Sequence, residues 1–309
     1  MNSKNKSFLA IIALAAVCLI WGTTYLVLRI GVTGFPAFLF SALRQLFAGG
    51  ILIGALLLFT KTKFPDWTVV LHQAIAGFFM FTMGNGLVGW AEVYISSGMA
   101  AIISSMVPIW IILLNLKVNQ DEKPNFPIVA GLIIGFSGIL MIFGQHLKEF
   151  SIPAYQLGIG AMFIANISWA AGSVWIKKKN QHSNLFMNAG LQMLFGGIFM
   201  LPLSGLFDDY SNFKFSSSVL FALSYLIIVG SIIAYLCFTF AIKQLPMTIV
   251  SLYAYINPLV AVLLGWIILG EKFSVSICIA MFITIAGVYL VNRGYHLRKE
   301  WKAELADEK

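Results

Sequence analysis

Again and again along this chain, a run of about twenty residues passes with almost no charge in it, and no other feature restricts the fold as much. A helix that crosses roughly 30 Å of hydrocarbon at about 1.5 Å per residue needs about 20 apolar residues. By that measure ten spans are predicted, at 8–28, 35–59, 69–90, 95–116, 126–144, 154–176, 185–207, 217–241, 247–269 and 274–292. With 60% hydrophobic and only 10% charged residues in 309, the chain holds more apolar surface than a water-soluble core can bury. Lipid is therefore the solvent for most of it, and the expected fold is an all-α membrane protein. The first run is too long for the apolar region of a cleaved signal peptide and nine more follow, so it is read as a span.

Charge placement sets an expected orientation. Of the twenty basic residues, fifteen fall in loops and tails on the amino-terminal side, among them Lys4, Lys61, Lys117, Lys177, Lys178, Lys179, Lys243 and Arg293. Four, Arg29, Lys148, Lys214 and Lys272, fall in loops on the other side, and Arg44 lies within a span. By the positive-inside rule both termini are predicted to be cytoplasmic, in a bacterial inner membrane. The net charge of +8 then reflects orientation toward an anionic leaflet, not nucleic-acid binding. Cys18, Cys237 and Cys278 fall inside spans and read as small packing residues. His72, His146, His182 and His296 are dispersed, so neither a metal site nor a cofactor is expected.

The chain also repeats itself. Ser-Met-Val-Pro-Ile-Trp around Pro108 aligns with Tyr-Ile-Asn-Pro-Leu-Val around Pro258, and Asp121 then falls on Glu271. Trp21-Gly22 matches Trp169-Ala170, and Gly49-Gly50 matches Gly196-Gly197. The expected organisation is a first five-helix repeat over 1–146, a second over 147–295 and a charged cytoplasmic tail over 296–309. Five spans per repeat is an odd number, so the second repeat enters the membrane inverted. Such repeats suit a transporter, because two related halves can exchange conformations around a central site.

Several segments together resemble the EamA-type branch of the drug/metabolite transporter superfamily. They are Trp21-Gly22-Thr23-Thr24-Tyr25 with Arg29-Ile30-Gly31, Arg44, Asn85-Gly86 with Ala91-Glu92, Ser97-Gly98 with Pro108, Ser168-Trp169-Ala170, and Tyr253-Ala254-Tyr255-Ile256-Asn257-Pro258 running to Gly270-Glu271. The resemblance implies ten helices, with spans one to four and six to nine around a central cavity and spans five and ten at the periphery. It also implies export of amino acids or other small metabolites.

Arg44 carries an insertion cost of roughly 2.5–3.5 kcal/mol or more at span depth. It is either a cavity-facing cation for a substrate carboxylate or a structural residue satisfied by carbonyls or Glu92. Glu92, at the end of span three, is either the group that takes up a proton in exchange for substrate or a solvated loop residue. Pro108 and Pro258 lack a backbone donor in mid-span and read as paired hinges or as static kinks. Trp21, Tyr25, Trp169, Tyr235 and Tyr253, with Thr24, Asn85 and Asn257, are candidates to line a substrate pocket, with Tyr255 and Asn166 at similar depth. An apolar pocket with a few polar groups suits an amphipathic organic solute. The glycine ridge Gly131, Gly135 and Gly138 is expected to pack on span ten or on a second copy in a homodimer.

The leading functional reading is a secondary exporter of small organic metabolites, with a small-molecule substrate and the bilayer as partners. The alternative is an intramembrane lipid- or metabolite-modifying enzyme, which would need clustered acids. Asp121-Glu122 and Asp208-Asp209 instead fall in loops on opposite sides. No Gly-rich phosphate loop ending in Gly-Lys-Ser/Thr occurs to hold a nucleotide.

Overall fold

The computed structural model describes residues 3–118, 124–143, 152–179, 184–211, 213–269 and 275–307, and the regular structure among them is helical throughout. Lipid offers a backbone no hydrogen bonds, so a segment at membrane depth has to close its own N–H to C=O ladder. In chain order the elements are α1 (Ser3–Val32), α2 (Ala37–Phe59), α3 (Trp67–Gly77), a π-helical segment π1 (Phe78–Gly86), α4 (Leu87–Ala91), α5 (Ser97–Ser104), α6 (Val107–Val118), α7 (Phe126–Phe143) and α8 (Pro153–Lys179). Then follow α9 (Leu185–Phe207), α10 (Ser217–Tyr225), π2 (Leu226–Ile233), α11 (Ala234–Gln244), α12 (Met247–Val250), α13 (Tyr253–Leu269) and α14 (Val275–Asp307). The Asp121 and Glu271 match and the repeat boundary at 146–147 lie outside the described residues.

Seven helices among the described residues are long and apolar enough to cross a membrane: Asn5–Val32, Ala37–Phe59, Trp67–Ala91, Pro153–Lys179, Leu185–Phe207, Ser217–Gln244 and Cys278–Tyr295. The other expected spans are helical but short or interrupted. Span four divides at Ser105–Met106 into α5 and α6, span five is α7, and span nine divides at Ser251–Leu252 into α12 and α13. α14 continues as one helix to Asp307, so the described part of the charged tail from 296 onward is helical.

Local chemistry sets several helix ends. Asn184 accepts from the N–H groups of Phe186 and Met187 and starts α9, and Ser216 accepts from Val219 and starts α10. The start of α2 is capped from another helix. Asp208, just beyond α9, accepts from the N–H of Phe38 at 3.0 Å and of Leu39 at 2.9 Å. Lys177, one of the basic residues that set the expected orientation, donates through Nζ to the Leu245 carbonyl at 2.8 Å and to that of Ile242, closing the end of α11.

Two helix pairs pack with their backbones in contact. Along α2 and α9, a Cβ added at Gly49 would lie 2.6 Å from Leu194 N and 2.7 Å from Gly190 O. Along α7 and α14, one added at Gly131 would meet Gly287 O at 2.6 Å and one at Gly138 would meet Ala280 O at 2.7 Å. The predicted ridge is therefore occupied within the chain. Around these pairs, α1 lies on α13 and α11, while α8 lies on α6 and α4. Large apolar side chains such as Phe8, Leu58, Phe59 and Phe282 cover the outside, as a surface facing lipid requires.

Candidate functional site

Where α1 and α8 come together, Trp21 and Trp169 meet edge to face, with ring centroids 5.4 Å apart. Tyr253 packs edge-on against Trp21 at 4.9 Å. These rings form one wall of a cavity of about 80 Å³, lined also by Thr24, Tyr25, Arg44, Asn85, Ser104, Asn166 and Asn257. Eight of the nine residues expected to bind substrate thus share one cavity. In this conformation it has room for a few water molecules only.

The polar part is built on irregular backbone. A π-helix widens the turn and is frequent at functional sites. Both π segments reach Arg44, whose Nε donates to Ser231 of π2 at 2.8 Å and whose Nη1 donates to Asn85 of π1 at 3.3 Å. The Trp21 indole N–H donates to the carbonyl of Gly230, also in π2, at 3.1 Å. No hydrogen bond from Arg44 Nη2 occurs among the described residues, so a guanidinium fixed on two sides keeps donor capacity at the cavity. Asn166 donates to the Ile103 carbonyl at 2.6 Å, next to the break between α5 and α6. The Asn257 amide nitrogen, turned to face them, donates to the carbonyls of Cys18 at 3.1 Å and Tyr253 at 2.9 Å.

Tyr235 does not line this cavity. It is 1% exposed, and its hydroxyl donates to Gln192, whose amide in turn donates to Gln73. Its ring packs on Phe81 at 4.8 Å. Its hydroxyl is committed to a polar chain linking α3, α9 and α11, which the mid-span glutamines could have signalled.

Glu92 is completely buried, not solvated, and neither carboxylate oxygen has a hydrogen-bond partner among the described residues. Arg29, Arg44 and Tyr25 all lie within electrostatic reach of it. Sequence reasoning placed Arg29 in a loop. In fact α1 continues past it, and Arg29 Nη1 donates to the Ile95 carbonyl at 2.8 Å.

The prolines differ from each other. Pro108 lies in the first turn of α6, where a missing N–H costs nothing, and the interruption precedes it at Ser105–Met106. Pro258 lies inside α13, as the mid-span reading requires, and Pro202 also lies inside a helix, near the end of α9. Among the described residues, no three His, Cys, Asp or Glu side chains come together as metal ligands.

Two copies of one family description fit the chain: the EamA-like transporter family matches residues 8–144 and again 156–293. The chain belongs to the EamA-like transporter family and is a multi-pass membrane transporter. It is 32% identical over 290 residues to an uncharacterized inner membrane transporter of Escherichia coli K12, YedA, covering 92% of this chain and 91% of that one. It is 22% identical to an uncharacterized transporter of Bacillus subtilis, YoaV, covering 93% and 98%. It is 27% identical to the protein PagO of Salmonella typhimurium, covering 89% and 90%. A solved crystal structure superposes with a TM-score of 0.73 at 22% identity over 91% of this chain and 95% of the other, a likeness of fold alone. Family and relatives group the chain with transporters rather than enzymes.

Proposed function

We propose that the protein is a secondary transporter of the bacterial inner membrane that exports small organic metabolites, amino acids or related amphipathic compounds, by alternating access. In this reading it crosses the membrane ten times in two inverted five-helix repeats, with both termini cytoplasmic. Support comes from the double family match and from the equivalent Trp21 and Trp169 meeting at the centre. The reading is also supported by helix partnerships that recur when the halves are exchanged, α1 on α13 and α11 against α8 on α6 and α4.

The observation that carries the reading is Arg44. A cation at membrane depth is costly unless it is paired or functional, and this one is fixed by Ser231 and Asn85 at the edge of an aromatic cavity. Its remaining donors suit a substrate carboxylate, and the rings of Trp21, Trp169 and Tyr253 suit the apolar remainder. Glu92, buried with no hydrogen-bond partner among the described residues, is the group we assign to proton exchange, since holding a bare carboxylate away from water is expensive. Any homodimer through α7 and α14 would use their lipid-facing sides, because their glycine faces are already joined.

The test compares metabolites released by cells that overproduce the protein, cells that overproduce Arg44→Leu, and cells that lack the gene. A set of carboxylate-bearing solutes should rise in the medium only with the unaltered protein. Identical profiles in all three would reject export, and accumulation of a new compound inside the cells would favour enzymology.

A further inference from the structure

A second cavity lies apart from the aromatic site. Between the ends of α2, α4, α8 and α9 runs a groove of about 750 Å³, walled by apolar side chains such as Phe38, Leu87, Leu157 and Ile164. Along α8 it extends from Pro153 to Ile164, which at about 1.5 Å per residue is roughly 16 Å. That is the depth of one leaflet, about half of a 30 Å hydrocarbon core. Trp90 and Phe207 also line a smaller neighbouring pocket of about 150 Å³ between the connecting loops. That pocket is polar on one side, with Thr33, Tyr94, Asp208 and Asp209.

The two carboxylates differ. Asp208 is engaged by the start of α2, whereas Asp209 is exposed and is held below the usual carboxylate range by hydrogen bonds from the Ser211 side chain and from the Ser211 N–H, the latter at 2.8 Å. Asp209 is thus a fixed negative charge in the pocket that shares Trp90 and Phe207 with a leaflet-deep apolar groove. An occupant that matches both parts carries an acyl chain and a cationic head.

We infer that the groove and the pocket form one lipid site, in which an aminophospholipid lays an acyl chain along α8 and sets its ammonium head against Asp209. The length of the groove argues for an acyl chain rather than a compact solute, and the charge argues against an anionic lipid. The site does not depend on the transport reading, because it shares no lining residue with the aromatic cavity.

Gly160 offers a clean probe. It lines the groove, and a Cβ built on it meets nothing within 4 Å, so a large side chain there enters the groove without disturbing the core. Purified full-length protein in detergent is titrated with phosphatidylethanolamine and with phosphatidylglycerol of the same acyl chains, and binding is read by native mass spectrometry and by the shift in melting temperature. The unaltered protein should prefer the ethanolamine lipid by about fivefold, the scale of one exposed charge contact. Gly160→Trp should weaken both lipids by about tenfold, and Gly160→Leu should fall between, which keeps the test decisive should the Trp variant fold poorly. Asp209→Asn should bind both lipids equally. Equal affinity for the two lipids in the unaltered protein, or unaltered binding by Gly160→Leu and Gly160→Trp, would overturn the site, as would a preference that survives in Asp209→Asn.

Discussion

A guanidinium held from two helices at once cannot be exchanged for an ammonium without loss. Arg44 reaches Ser231 and Asn85 through different nitrogens and keeps a third at the cavity, whereas lysine brings one nitrogen on a flexible stem. In proteoliposomes, Arg44→Lys should lower apparent substrate affinity by about tenfold, the order of a lost bidentate contact; unchanged uptake would make Arg44 purely structural. Glu92→Gln keeps the shape but not the titration, so substrate binding should persist while the dependence of uptake on pH disappears. Side chains of this kind are legible in a sequence because charges and amides are rare at membrane depth. What is not legible is which side of a helix end they occupy. Arg29 and Glu92 sit near the end of an apolar run and read as loop residues, yet α1 continues past Arg29, and Glu92, in the turn that closes α4, is buried. Tyr235 failed as a pocket residue for a related reason, since a π segment just before it resets the helical face.

Helix interruptions make the same point for elements. Proline is the visible signal, but in the first half the break falls at Ser105–Met106 and Pro108 merely opens the next helix. Pro108→Ala should therefore leave transport rates at matched expression within about twofold of the parent. Pro258→Ala, inside α13, restores a donor to a helix that lacks one there and should slow transport severalfold. Equal effects of the two would mean that the proline ring, not its place in the helix, matters. The pairing of α7 with α14 is more demanding. A Cβ at Gly287 would lie 2.3 Å from the backbone N of Gly135 and 2.5 Å from its Cα, so the helices must separate. Gly287→Leu should cost about 1–3 kcal/mol or more and lower the melting temperature in detergent, whereas Gly205→Leu, with nothing within 4 Å, should not. The glycine spacing announced the ridge and offered span ten or a second copy as its partner; the fold places span ten, α14, against it.

For the whole molecule, the basic residues and the even number of expected spans agree on one arrangement. A reporter fused to the carboxyl terminus should be active as a cytoplasmic protein and silent as a periplasmic one. The reverse pattern would reject the inverted arrangement together with the span count. The apolar runs made the helical class plain from the sequence, because hydropathy integrates over many residues. The breaks in α5–α6 and α12–α13 and the two π segments were not legible, since they arise from packing between helices and leave no fixed residue pattern.

Arg44 stands once in a molecule whose halves follow one plan. Gly49-Gly50 matches Gly196-Gly197 at a spacing of 147, so the position corresponding to Arg44 is Leu191. Leu191 is buried away from the cavity, among Val70 and Met187. A molecule with identical halves would rest equally often facing either side of the membrane. One with a single off-centre cation has no such balance, and a difference of about 1.4 kcal/mol between the two states already skews the resting population tenfold. Under the proposed alternating access, the empty protein would therefore wait predominantly on one side, and a bound carboxylate that neutralises Arg44 would change how long it waits there.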